Sequence, residues 1–175
     1  IKAAGITSVK GDVLIDDRLY LQSEGTGSGP RAVSPMMAND NLIDLIVTPG
    51  QKPGDKATVT VRPPTAYFKG EFDVTTTENG PASFTVLNRD PREYALKGKI
   101  PVGSKPRVGI VPIGKPVDFA RTLFIEALKR EGVTIVAPLV RTQNTESLPK
   151  NYDGKSPVAK FTSLPLSGAI EATLK

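Results

Sequence analysis

The chain has 175 residues, with 23 Lys+Arg against 18 Asp+Glu, 16 Gly and 16 Pro. That length makes room for one domain or two small interleaved ones, and the Gly and Pro content falls short of the ~25–30% that marks low-complexity chains, so a folded body is expected. Zero Cys and zero His exclude a thiolate nucleophile, a disulfide, the usual zinc sites and any Ser-His-Asp or Cys-His relay.

A formal charge of +5 favours contact with anionic polymers, but the basic residues are scattered singly and aromatics make only 6%, which argues against a stacking platform for nucleic acid. No run approaches the ~20 apolar residues of a membrane span and no basic, apolar leader opens the chain, so a soluble protein with no transmembrane segment is expected. The chain opens on Ile1 and stops at Lys175 inside a helical pattern, which reads as an excised piece.

In chain order, Gly11 to Tyr20 alternates apolar residues at Val13 and Ile15 before Asp16 and Asp17, the pattern of a strand ending in a turn. Gln22 to Pro30, with three Gly and two Ser, reads as a flexible surface loop. The run Leu42 to Val47 and the alternation Ala57, Val59, Val61 flank QKPGDK and predict a hairpin. Further alternating pieces at Phe72 to Thr75, Phe84 to Leu87, Tyr94 to Ile100 and Arg107 to Pro112 are separated by turn residues, the pattern of an antiparallel sandwich or barrel.

At Pro116 the period changes. Val117, Ala120, Leu123, Phe124, Ala127 and Leu128 recur at helical spacing, Asp118 stands at the start, Lys129 and Arg130 at the end, and Gly132 is the stop. Val133 to Val136 reads as a strand that pairs with the early one around Val13 to Ile15, an α/β unit apart from the middle block. After a polar connector from Arg141 to Gly154, a second helix is expected from Ser163 and Pro165, with Leu166, Ala169, Ile170 and Leu174 on one face.

Ser147 and Lys150 have the Ser-x-x-Lys spacing of an acyl-enzyme pair, which works only on a helix; Pro149 and the breakers at Asn151, Asp153 and Gly154 point to a solvated loop instead. Asp16 and Asp17, with Asp12, Asp40 and Asp44, match no metal loop and read as turn carboxylates. Gly25, Gly27 and Gly29 lack the Lys-Ser or Lys-Thr of a phosphate loop. Lys129 and Arg130 read as surface charges suited to the helix dipole. Composition and spacing therefore offer no catalytic, cofactor-binding or metal-binding residue.

Four segments read together resemble the serine D-alanyl-D-alanine carboxypeptidase/endopeptidases, the class C low-molecular-mass penicillin-binding proteins. They are GITSVKGDVLIDDRLY (5–20), SPMMANDNLIDLIVTPGQKPGDKATVTV (34–61) with its Ser-x-x-x-x-Asn-x-Asn start, the helix-Gly-Val run Pro116 to Val136, and Phe161 to Lys175. One departure is the loop 22–30, where such proteins often carry a Trp and this chain has none. The resemblance implies an α+β fold: a small α/β domain carrying an antiparallel β-rich insert, plus the first helix of a truncated transpeptidase domain.

The implied divisions are 1–36 and 112–150 for the two parts of the α/β domain, 37–111 for the β insert and 151–175 for the start of the transpeptidase domain's second segment. The nucleophile would lie upstream and Ser-x-Asn just downstream. The implied function is a non-catalytic accessory module in peptidoglycan maturation, in the periplasm or extracytoplasmic envelope, partnered by the rest of the transpeptidase domain and by peptidoglycan. An independent cell-envelope or carbohydrate-binding β module is the alternative.

Overall fold

A computed structural model describes residues 1–25, 30 and 32–173, and the fold is α+β. Its strands are β1 (Ser8–Val9), β2 (Ser23–Glu24), β3 (Ala32–Val33), β4 (Leu42–Thr48), β5 (Thr58–Arg62), β6 (Lys69–Thr77), β7 (Ser83–Asp90), β8 (Glu93–Pro101), β9 (Arg107–Pro112) and β10 (Thr134–Ile135); its helices are α1 (Pro116–Arg130) and α2 (Leu166–Thr173). The expected strands from Leu42 to Pro112 are all present.

Two three-stranded sheets build the β body, in the orders β5-β4-β9 and β6-β8-β7. Period-two alternation turns Ile43, Leu45 and Val47 of β4 inward, where they meet Val74, Leu96, Ile100 and Val111 in one buried cluster. The sheets join where the Ala57 amide donates to the Val74 carbonyl at 2.9 Å and Lys56 bridges Thr75. Gly98 is required here, since a Cβ at that position would lie 2.1 Å from the Ser83 carbonyl oxygen across the β7–β8 ladder.

The β body is not wholly antiparallel, as the alternation and turns imply: β6 runs parallel to β8, which lies between β6 and β7. The physical reason is the linker. Skipping one strand needs roughly 10 Å, and the residues from Glu78 to Ala82 reach that distance easily at ~3.3 Å each. Turn residues mark where a strand ends and carry no record of which neighbour the next strand takes.

The helix α1 has the expected span, Pro at its first position, Asp118 in the first turn, Lys129 and Arg130 in the last, and Gly132 at φ 81 beyond its end. Its buried face differs from the expected stripe. Ala120 and Leu128 are buried as expected, but Phe124 is exposed and Val117 only half-buried, while Phe119, Arg121 and Ile125 outside the stripe are buried. The helix serves two neighbours at once: Phe119 enters the β-body cluster beside Tyr67, with ring centroids 5.3 Å apart, and Ile125 and Leu128 join a second cluster with Val13, Val133, Ile135 and Ala137.

The strand partner of β10 is β1, through Ser8–Thr134 and Val9–Ile135 in parallel, and not the segment around Val13 to Ile15. Val13 does join the second cluster and Ile15 is buried, but their backbone is bound by side chains in place of a strand. The flanks of the Gly-rich stretch also pair, β2 against β3, where a loop was expected; residues 26–29 lie outside the described set. On α2, Leu166 is 76% and Ile170 50% exposed; Leu174 of the expected stripe lies outside the described residues, as does the Ala169 side chain.

Candidate functional site

The densest polar chemistry lies where α1 meets the segments 12–18 and 137–152. Arg121 is 0% exposed. Its Nε donates to the Val13 carbonyl at 2.7 Å, its Nη1 to the Pro138 and Leu139 carbonyls at 3.0 and 3.2 Å, and its Nη2 to Asp12 Oδ1 at 2.7 Å. Asp12 also accepts from its neighbour's amide, Val13, and pairs with Arg141. Burial pushes the Asp12 carboxyl up, but the Arg121 hydrogen bond, the Val13 amide and the charges of Arg121 and Arg141 outweigh it and hold the group below its ordinary value.

Gln143 completes the clamp. Its side chain accepts from the Ile15 amide at 2.8 Å and donates to the Ile15 carbonyl at 2.7 Å, as an adjacent strand would. Its own amide donates to Asp118 Oδ1 at 3.1 Å, tying the pair to the first turn of α1. One helix thus fixes two chain crossings through a guanidinium, a carboxylate and a carboxamide.

Asp16 lies just beyond this clamp, accepting from Arg18 Nη2 at 2.6 Å and from the Tyr152 hydroxyl at 2.7 Å, while Arg18 also donates to the Pro149 carbonyl at 2.8 Å. The Arg18 and Tyr152 hydrogen bonds hold its carboxyl well below the usual range. Asp17 has no part in the cluster. Asp44 accepts from Arg62, and Asp40 stands exposed in the turn Asn39–Asn41.

That turn has three consecutive residues at φ 49, 54 and 53, a left-handed conformation that Asn and Asp tolerate better than other side chains. Buried Asn41 donates to the Ala32 carbonyl at 2.9 Å, Ser34 Oγ donates to the Met36 carbonyl at 2.6 Å, and Tyr20 donates to the Ser34 carbonyl at 2.8 Å. The Ser-x-x-x-x-Asn-x-Asn segment therefore builds the entry to β4 and anchors the residues on either side of the Gly-rich stretch.

Ser147 ends a three-residue 3-10 turn, Thr145–Ser147, and Leu148 after it is extended at φ −69, ψ 138, so Lys150 is not carried one helical turn from the serine. Among the described residues, no group of three or more carboxylates comes together to hold a metal ion. Of the three glycines of the Gly-rich stretch, Gly27 and Gly29 lie outside the described residues. Lys129 and Arg130 are exposed at the end of α1. Among the described residues no helix is long and apolar enough to cross a membrane.

The buried residues of the clamp gave no sequence signal. Arg121 meets Asp12 and Gln143 meets Ile15 across separations of 109 and 128 residues, and a lone Arg inside an apolar helix pattern reads as solvent-facing.

Residues 1–175 match the family described as D-Ala-D-Ala carboxypeptidase 3 (S13). None of the curated proteins matches the chain. Among solved structures, penicillin binding protein 4 (dacB) from Haemophilus influenzae is similar at 17% identity with a TM-score of 0.55, over 81% of this chain and 35% of that one. The same protein complexed with a novel beta-lactam is similar at 18% identity with a TM-score of 0.49, over 82% of this chain and 33% of that one. The chain thus spans about a third of the protein it resembles in fold.

Proposed function

The chain belongs to the D-Ala-D-Ala carboxypeptidase 3 (S13) family, and from that premise we propose that it is an accessory module of a serine D-Ala-D-Ala carboxypeptidase/endopeptidase acting on peptidoglycan stem peptides in the periplasm or extracytoplasmic envelope. The observation that carries the reading is a family match along residues 1–175 by a chain whose one Ser-x-x-Lys pair, Ser147 and Lys150, is split by the end of a three-residue 3-10 turn. In this reading the nucleophile and its lysine belong to the parent's transpeptidase domain. The module needs no metal or cofactor of its own.

Residues 1–36 and 112–150 form the module's α/β part, 37–111 its β insert, and 151–175 the return to the transpeptidase domain. The two apolar clusters support this division, with α1 as the element common to both. Phe161, Leu164, Leu166 and Ile170, all exposed, support a neighbouring domain as the partner of the 151–175 segment.

The test compares the parent enzyme with a variant lacking 37–111, using a short D-Ala-D-Ala peptide and intact sacculi. Because Phe119 packs into the β body, the deletion carries Phe119→Ser as well. A selective loss on sacculi that fades with salt supports substrate holding, since exposed charges are screened beyond about 8 Å at physiological ionic strength. Equal losses on both substrates make the insert structural only, and no release of D-Ala by the parent overturns the assignment.

A further inference from the structure

A second polar feature adjoins the clamp at Asp118 and Arg141, between the β7–β8 turn, the residues leading into β6 and the start of α1. It is a cavity of about 190 Å³ lined in part by Tyr67, Asp90, Arg92, Lys115, Asp118 and Arg141. At ~30 Å³ per molecule of liquid water, that volume matches roughly six waters.

Part of its wall is polar side chains with no hydrogen-bond or ion-pair partner among the described residues. Tyr67 is 5% exposed; its ring packs against Phe119, and the Arg92 guanidinium lies over it, 5.8 Å from the ring centroid. Yet the Tyr67 hydroxyl has no hydrogen-bond partner among the described residues and is not one of the sealed polar atoms, and Tyr67 lines this cavity. Burial first, and then the Asp118 charge, push its ionisation up to about 12, which keeps the O–H in place as a donor at neutral pH. Asp118 is 6% exposed; Oδ1 takes the Gln143 amide, and Oδ2 has no partner among the described residues.

The lining carries both signs of charge. Arg141 is committed to Asp12, but neither Arg92 nor Lys115 has an ion-pair partner among the described residues, and neither does Asp90 or Asp118. A simple anion entering the cavity would meet two carboxylates, and a simple cation two basic groups. A ligand carrying both signs a few ångströms apart satisfies each set without opposing the other, and an α-amino acid with a small side chain fits the volume.

We propose that this cavity binds a small zwitterion of the α-amino-acid type, its carboxylate toward Arg92 and Lys115, its ammonium toward Asp118, and the Tyr67 hydroxyl hydrogen-bonded to it. The site stands independently of the peptidase assignment, because it is read from unpaired groups in this chain alone.

The test is an NMR titration of the 175-residue chain with alanine in both enantiomers, with acetate and methylammonium as half-ligand probes. Saturable shifts at the amides of Arg92, Lys115 and Thr142 are expected with alanine, and binding at least about ten-fold weaker with either half. Tyr67→Phe removes a hydroxyl with no internal partner, so it should leave the thermal midpoint in place and weaken alanine about ten-fold, the size of one lost hydrogen bond. Lys115→Gln, at an exposed position, should weaken it similarly. No saturable shift up to roughly 100 mM, acetate binding as tightly as alanine, or a Tyr67→Phe chain that binds unchanged would each overturn the proposal.

Discussion

The β body and the α/β layer beside it are closed by different chemistry. In the β body, side chains from two sheets interleave, and the core cluster is made of Ile, Leu, Val, Tyr and Phe. In the layer, the ladder of β1 with β10 is two residues long, and beside a smaller apolar cluster the backbone is tied by Arg121, Asp12 and Gln143. Apolar packing is tolerant of exchange and spread over many contacts. A buried guanidinium with four acceptors is concentrated in one residue, so the layer should fail abruptly when that residue is removed.

The largest effect expected is therefore Arg121→Ala. Loss of the guanidinium leaves the Val13, Pro138 and Leu139 carbonyls and part of Asp12 unpaired, and a cost of about 3–5 kcal/mol is expected in urea unfolding. Hydrogen exchange sharpens the comparison. Protection should fall first at Val13 and Ile15 while Leu45 and Leu96 retain it; uniform loss would show the two regions to be one cooperative unit.

Leu96→Ala probes the other side. It opens a cavity in the middle of the β body and should cost about 3 kcal/mol, with protection lost across β4, β8 and β9 together. Gln143→Ala should cost about 1–3 kcal/mol, because it strands the Ile15 amide and carbonyl without touching the apolar cluster.

Acid gives a smaller test with a fixed sign. The Asp12 carboxyl is depressed in the folded chain, so its contribution is fully present above its unfolded value of 3.8 and is lost as pH falls through the lower folded value. Denaturation midpoints taken between about pH 5 and pH 2 should fall less steeply in Asp12→Asn than in the parent chain. At the bottom of the scale, Lys56→Ala at the exposed Lys56–Asp73 pair should leave the midpoint where it is.

How far the sequence is legible follows the same division. Ile43, Leu45 and Val47 alternate because one face of β4 is buried, so the β-body strands can be read from period two alone. The order β6-β8-β7 cannot, since a five-residue linker allows either neighbour. On α1 the caps fix the span, but the inward face is misread: the helix has two apolar neighbours, with Arg121 between them, and no single stripe describes it. Val13 and Ile15 look like a strand because they are buried alternately; what they lack is a strand partner, and Gln143 supplies its hydrogen bonds from 128 residues away. The clamp and the Tyr67 cavity are assembled by the fold from single residues, which spacing does not reveal.

Labelling with a fluorescent penicillin tests most directly whether this chain carries chemistry of its own. The purified chain and the parent enzyme would be incubated side by side and the label followed through denaturation. The account predicts a covalent adduct on the parent and none on the chain of 175 residues. A stable adduct on the chain, lost in Ser147→Ala, would contradict it.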